Sequence, residues 1–251
     1  MEIITTHSFS LAANTRGDPR SDKIALALPG RLDTKDYTNF ESHIEYLSSL
    51  GFYALAVDPP GTWDSPGGIE LFTTTNYIRA ITGLIEHLGG RPTLLLGHSR
   101  GGSVSILVGT PHPNVLGLVL VNPSLGAPSP PDPQSVKAGF YMDYRDLPPG
   151  KEKTKRQKEF KVPLAYFEDG GKYDDAKVLK TCAKPKLIFS SAEDEFNSPA
   201  YVKEVFTSLP EPKAFHQLPG THDYRYFPEA VGEVNQQTAA FIKNFFIESV
   251  K

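Results

Sequence analysis

Short apolar runs alternate with longer stretches in which apolar residues recur at helical spacing. Lys23 to Leu28 ends at Pro29-Gly30, Phe52 to Val57 at Asp58-Pro59, Thr93 to Leu96 at Gly97, and Leu116 to Val121 at Asn122-Pro123. Runs this short, apolar throughout and closed by turn residues, are the pattern of strands buried on both faces. Between them, Tyr37, Phe40, Ile44 and Leu47 within Asp36–Leu50 fall on one helical face. Tyr77, Ile81, Leu84 and Leu88 within Thr73–Leu88 do the same. Each of these stretches stops at glycine, Gly51 and Gly89, as a helix end should.

The rhythm resumes near the C-terminus. Residues 185–189 and 213–218 read as strands, and Ala200–Leu209 and Glu229–Val250 as helices. Residues 2–14 alternate loosely and reach a turn at Arg16-Gly17-Asp18-Pro19, which predicts one or two antiparallel edge strands. Strands alternating with helices require right-handed crossovers and a mostly parallel sheet covered on both faces, an α/β class. Reactive groups then gather at the carboxyl ends of the strands.

The interval 124–183 interrupts this order. It opens with prolines, lacks a strand-like apolar run, and scatters Phe140, Tyr141, Tyr144, Phe160, Tyr166 and Phe167 through short, helical-looking pieces. A long insertion between sheet strands, too aromatic to be disordered, predicts a small helical cap over the strand ends. The division is a core of residues 1–123 and 184–251 with an inserted cap of 124–183. Lys151–Lys161 holds six basic and two acidic residues and reads as a solvated lysine-rich loop or helix face, with an anion-binding patch as the alternative.

Composition narrows the class. A chain of 251 residues has ample material for a buried core. The formal net charge of -3 offers no polyanion-binding surface, so nucleic acid is not an expected partner. The single cysteine, Cys182, can form neither an internal disulfide nor a metal cluster. The first residues lack the basic-then-apolar pattern of a signal peptide, and no apolar run nears the ~18 residues of a membrane span. A reducing, cytoplasmic setting is the expectation.

The chemistry is concentrated at Gly97-His98-Ser99-Arg100-Gly101-Gly102, between an apolar run and a helical pattern. Gly-x-Ser-x-Gly at a strand-to-helix junction holds a serine on a sharp bend with its hydroxyl clear of the sheet. A serine hydroxyl is a weak nucleophile until a base takes its proton and a carboxylate orients that base. Two later strands run into loops that can supply both: Ser190-Ser191-Ala192-Glu193-Asp194, and Pro219-Gly220-Thr221-His222-Asp223. Ser99, Asp194 and His222 are therefore the candidate catalytic set. His98, beside the serine, is expected to point away from it on so sharp a bend, and the remaining histidines are assigned to packing or surface positions.

On these motifs the chain resembles the α/β-hydrolase superfamily over nearly all its length. Leu28-Pro29-Gly30-Arg31 sits where that family carries its His-Gly-x oxyanion loop, with Pro29 in place of histidine. Asp58-Pro59-Pro60-Gly61-Thr62-Trp63-Asp64-Ser65 is similar to its Asp-x-x-Gly-x-Gly-x-Ser stretch, with Trp63 in place of glycine, and Ser191 stands where the acid loop often has glycine. The resemblance implies the α/β-hydrolase fold and an oxyanion hole formed by the backbone N–H groups of Arg31 and Arg100. The side chains of both arginines are expected to be solvated, with attraction of an acidic substrate as the alternative.

These observations lead to a cofactor- and metal-independent serine hydrolase acting on an ester or thioester of a small to medium apolar acyl group. Phe140, Tyr141 and Tyr144 of the cap are expected to contact the substrate. A C–C hydrolase or lyase using the same residues, and a non-catalytic ligand-binding protein on this fold, are the alternatives that fold and motif leave open.

Overall fold

The computed structural model describes residues 1–126 and 129–246. In chain order the elements are β1 (Glu2–Thr5), β2 (Ser10–Arg16), β3 (Ile24–Leu28), α1 (Thr38–Ser49), β4 (Tyr53–Val57), α2 (Thr74–His87), β5 (Thr93–His98), α3 (Arg100–Gly109) and β6 (Val115–Val121). The interval that follows holds α4 (Pro133–Ala138), β7 (Phe140–Asp146), β8 (Gln157–Pro163), α5 (Ala165–Gly170) and α6 (Asp175–Leu179). The chain then completes β9 (Lys186–Glu193), α7 (Pro199–Thr207), β10 (Lys213–Thr221) and α8 (Pro228–Phe241), with a π-helical turn at Ile242–Phe246. The last residues of the helix expected over Glu229–Val250 lie outside the described residues.

The main sheet has the order β1-β2-β4-β3-β5-β6-β9-β10. β2 pairs antiparallel with both β1 and β4, and every pair from β4 to β10 is parallel. Alternation along the strands divides the core. Leu26, Leu28, Leu95 and Leu118 pack with Tyr77, Ile81 and Leu84 of α2 and Val104 and Val108 of α3. The opposite faces, Ala25, Ala27, Leu94, Leu96 and Val119, meet Phe40 and Ile44 of α1 and Val231 and Val234 of α8. Leu, Val and Ile are buried throughout because both faces are covered. Among the described residues no helix is long and apolar enough to cross a membrane.

The interval 124–183 differs from the helical expectation. Its centre is an antiparallel hairpin, β7 and β8, registered from Phe140 opposite Pro163 to Asp146 opposite Gln157, with α4, α5 and α6 around it. The residues that β7 buries are Asp143 and Asp146, polar and three positions apart, so the strand shows no period-two apolar pattern and escapes a search for apolar spacing. β8 buries Phe160 and Val162 between exposed charged residues, and that short signal sits inside the lysine-rich run. The run itself is loop and strand: the Lys158 ammonium lies 4.7 Å from the Trp63 ring centre and 5.2 Å from that of Phe160.

The hairpin is tied to the core by polar contacts at its base. The Arg225 guanidinium donates to Asp146 Oδ2 at 2.8 Å, Tyr37 Oη donates to the Asp146 carbonyl at 2.8 Å, and Arg145 Nε donates to the Arg31 carbonyl at 2.9 Å. Trp63 completes the seam. Its backbone is left-handed (φ 46°), the conformation glycine adopts freely at that place in the resembling motif. Here the indole N–H, donating to the Leu32 carbonyl at 2.8 Å, and the edge contact with Phe160 hold it there.

One buried cation fixes the loop that leads from β3 into the site. Lys35, fully buried, places Nζ 2.8 Å from Asp36, 3.1 Å from Asp58 and 2.7 Å from Asp64. Asp58, at the carboxyl end of β4, also accepts the Thr34 hydroxyl and the Lys35 N–H. Burial raises the Asp58 pKa, and the Lys35 charge is the largest effect opposing that rise. Removing the cation strands a buried carboxylate, so Lys35→Met should lower unfolding stability by about 3–5 kcal/mol in urea titration. Lys35→Met combined with Asp58→Asn should cost less than the two changes summed.

Candidate active site

The bend between β5 and α3 carries Ser99 at φ 51° and ψ -117°, a strained left-handed conformation for a residue with a side chain. Its neighbours over-determine it. The Ser99 N–H donates to the Val121 carbonyl at 3.0 Å, and its carbonyl accepts from the Ser103 and Ser124 amides at 3.1 Å each. The first turn of α3 presses so closely on β3 that a Cβ on Gly101 would stand 2.0 Å from the Leu28 carbonyl oxygen. No side chain fits there, which is why the position after Arg100 is glycine.

The three polar residues predicted from the sequence are brought together. Ser99 Oγ is 2.9 Å from His222 Nε2, and His222 Nδ1 is 2.9 Å from Asp194 Oδ2. An ionised carboxylate can only accept, so the bond to Asp194 places a proton on Nδ1 and leaves the Nε2 lone pair facing the serine hydroxyl. Asp194 Oδ1 accepts the Phe196 and Asn197 amides at 2.8 and 3.0 Å. Burial alone would raise the Asp194 pKa; the hydrogen bond and charge of His222, followed by those two amides, hold it below the usual carboxylate range.

Residues the sequence reading did not single out hold His222 in place. Asn122, itself left-handed at φ 44°, donates from Nδ2 to the His222 carbonyl and to Ser191 Oγ, both at 2.9 Å, and accepts the Ser191 amide. The carboxyl ends of β6 and β9 and the loop after β10 are thus joined by one amide side chain. Glu195 accepts the His222 N–H at 3.0 Å. His98 lies under the site, with Nε2 3.1 Å from the His222 carbonyl and Nδ1 3.1 Å from Asp33 Oδ2. Burial works to raise the Asp33 pKa. The His98 hydrogen bond and the charges of His98, Arg225 and Arg145 more than offset this and hold it well below the usual range.

The loop after β3 passes directly beside the serine. A Cβ on Gly30 would lie 3.1 Å from Ser99 Cβ and 2.7 Å from Asp33 Oδ2. Among the described residues the backbone N–H groups of Arg31, on this loop, and of Arg100, after the serine, have no acceptor. Ser124 Oγ lies 3.4 Å from Ser99 Oγ.

A cavity of about 170 Å³ opens over Ser99 and His222. Its walls come from Arg31, Arg100, Arg145, Tyr166 and Phe196, with Asp33 at its base and Asp223 at its side. The expected aromatics of the cap are not among them. The Tyr141 ring packs on Phe167 with the Arg31 guanidinium above it, Phe140 lies under the Lys161 ammonium, and Tyr144 points outward, 46% exposed. Tyr166 of α5 reaches the cavity instead, because α5 follows directly on the hairpin and stacks on Phe72 at 5.0 Å. The arginine side chains are not solvated either: Arg100 is buried, and Arg31, about two-thirds covered, pairs with Asp143 at 3.1 Å. The hairpin supplies that carboxylate, and its charge pattern carried no apolar signal that would have located it.

Several solved structures share this architecture. Est1E from Butyrivibrio proteoclasticus, solved with ferulic acid bound, superposes with a TM-score of 0.75 at 16% identity, covering 97% of this chain and 100% of that one. The thioesterase domain from the curacin biosynthetic pathway gives 0.72 at 14% identity, over 94% of this chain and 97% of that one. A monoacylglycerol lipase from Paleococcus ferrophilus gives 0.70 at 19% identity, over 92% and 98%. No curated protein matches the chain by sequence. The sequence profile described as the Alpha/beta hydrolase family matches residues 26–234. With the sheet order, the strained serine bend and the loops around it in agreement, the chain belongs to the alpha/beta hydrolase family.

Proposed function

We propose that this protein is a serine hydrolase that cleaves a carboxylic ester or thioester of a small acyl group through an acyl-enzyme. The observation that carries the reading is the pair of 2.9 Å contacts from Ser99 through His222 to Asp194. Ser99 Oγ attacks the carbonyl carbon while His222 Nε2 takes the hydroxyl proton. The resulting oxyanion lies between the amides of Arg31 and Arg100, which are fixed before reaction and need no reorganisation. The tetrahedral species collapses, the carbon–oxygen or carbon–sulfur bond breaks, and His222 returns its proton to the departing alcohol or thiol. Water then attacks the acyl-serine, gives a proton to His222, and releases the acid and the free serine.

Asp194 supports the step by fixing the tautomer and stabilising the imidazolium that forms; it stays ionised throughout. The neighbours of this architecture, Est1E with ferulic acid bound, a thioesterase domain and a monoacylglycerol lipase, are compatible with an acyl substrate of more than one kind. Size and polarity support the narrower choice. A cavity of about 170 Å³ walled by guanidinium groups suits a short acyl chain with polar substituents better than a long apolar one.

A fluorophosphonate probe should label Ser99 in the folded protein and leave Ser99→Ala unlabelled; an unlabelled wild type refutes the reading. Ser99→Ala and His222→Ala should each reduce kcat for a p-nitrophenyl ester about as far as the double variant does, because residues acting as one unit are non-additive. Multiplying losses in the double variant would separate them. Asp194→Asn should lower kcat by up to about 10⁴, the scale of the same change in other triads. Glu193→Gln, on an exposed side chain at the end of β9, should change it little. Both are read from steady-state rates on samples of matched circular dichroism.

A further inference from the structure

Among the described residues, the cations around the cavity are answered by carboxylates, with one exception. Arg31 pairs with Asp143 at 3.1 Å, Arg145 with the same carboxylate at 2.9 Å and with Asp33 at 3.8 Å. The Arg225 guanidinium, next to the cavity, pairs with Asp146 at 2.8 Å and Asp223 at 2.9 Å. Arg100 takes part in none of the ion pairs formed among the described residues. Among the described residues its side chain makes one hydrogen bond, from Nε to the Tyr166 hydroxyl at 3.3 Å, and its guanidinium carbon lies 5.8 Å from that ring centre. Asp175, whose carboxylate feels the Arg100 charge, accepts the Gly126 amide at 2.6 Å and lies outside ion-pair distance of it.

This is a costly arrangement for a side chain only 8% exposed. A guanidinium carries five N–H donors, and one is used. Burying a charge without a partner is unfavourable, so proteins almost always pair it. The two carboxylates on the cavity wall cannot serve. Asp33 is engaged by His98 and Arg145, and Asp223 by Arg225. Arg100 follows Ser99 directly in sequence and lines the same cavity, so its free donors share the space in which an acyl group bound to Ser99 would lie.

We propose that the Arg100 guanidinium is the anchor for an anionic group of the substrate, a carboxylate or phosphate carried in addition to the ester or thioester. The planar fork matches either group through two parallel hydrogen bonds, and Tyr166 steers it by holding Nε. Bound substrate then completes the ion pairing of the cavity. This assignment rests on Ser99 being the nucleophile of the same site, and it adds the charge that selects the substrate. The anion can belong to the acyl side, as in the half-ester of a short diacid, or to the leaving group, as in the phosphates of an acyl-coenzyme A. The chemistry at Arg100 is the same in both.

Two substrate pairs distinguish the sources. On the acyl side, mono-p-nitrophenyl glutarate is compared with p-nitrophenyl butyrate; on the leaving-group side, butyryl-coenzyme A with the neutral S-butyryl N-acetylcysteamine. In one pair the anionic member should have a kcat/KM roughly ten- to a hundredfold higher, the scale of hydrogen bonds to a charged group. Arg100→Gln should bring that ratio toward one, chiefly by raising KM for the anionic member, and Arg100→Lys should keep part of it. A wild type that prefers the neutral member of both pairs overturns the proposal, as does a ratio that Arg100→Gln leaves unchanged. Calorimetry with glutarate and with inorganic phosphate gives a readout independent of turnover: binding to the wild type that Arg100→Gln abolishes supports the anchor. Binding equal in both proteins, or to neither, counts against it. If the fluorophosphonate fails to label Ser99 while this binding persists, the hydrolase reading falls and the anion site stands. If labelling succeeds and every preference is absent, the anchor alone falls.

Discussion

The distance between the first turn of α3 and the carboxyl end of β3 governs everything built at the strand ends. With the Gly101 Cβ position only 2.0 Å from the Leu28 carbonyl, the helix starts in contact with the neighbouring strand. That contact forces the turn before it into the left-handed bend at Ser99, and it brings the Gly30 loop against the serine. The close approach therefore sets two features at once, the bend that carries Ser99 and the seating of the Gly30 loop beside it. Strain at one residue persists because three backbone hydrogen bonds at Ser99 and the packing of a buried helix hold the surrounding structure still.

Around this bend the protein solves a problem of buried charge. Lys35, Arg145 and Arg225 are each covered, and each meets carboxylates from a different segment of chain. The pairs do little for stability as isolated contacts, since desolvation offsets much of the attraction. Their effect is registry. Lys35 ties the loop after β3 to the end of β4, Asp33 ties it to His98 beneath the site, and Asp146 ties the hairpin to the loop that carries His222. A polar cavity over Ser99 follows from this arrangement, because the hairpin meets the core through charged side chains.

The core of the fold was legible in the sequence, and so were the three residues at the strand ends. Parallel strands buried on both faces leave near-continuous apolar runs, so Lys23–Leu28 and Leu116–Val121 announce themselves. The turns that close them carry the polar side chains, so Ser99, Asp194 and His222 can be placed from chain order and strand ends. The hairpin was not legible, because its inward residues on β7 are aspartates whose partners, Arg31 and Arg225, lie about eighty or more residues away in sequence. Spacing along one strand carries no trace of a partner that distant. For the same reason Tyr141 was assigned to the cavity and Tyr166 was not: both are cap aromatics, and only the hairpin's placement decides which one faces Ser99. His98 and Asn122 also act through three-dimensional proximity, each reaching the His222 carbonyl from the end of a different strand.

The tie between Arg225 and the hairpin has a consequence for how this enzyme family member could change over time. Arg225 stands three positions after His222 on one short loop, and its guanidinium anchors the hairpin that gives Arg145 to the cavity wall. Substrate range and reaction rate are thereby linked through a single stretch of main chain. A substitution that re-aims the wall pulls on the loop that positions the proposed base, and one that adjusts the base shifts the wall. Variation confined to α5 is released from that linkage, since Tyr166 does not bond to Arg225, whereas the Phe196 loop is tied to His222 through Asp194 and Glu195. Drift in specificity at unchanged rate should therefore concentrate in α5, and the hairpin base should change only together with the loop beneath it.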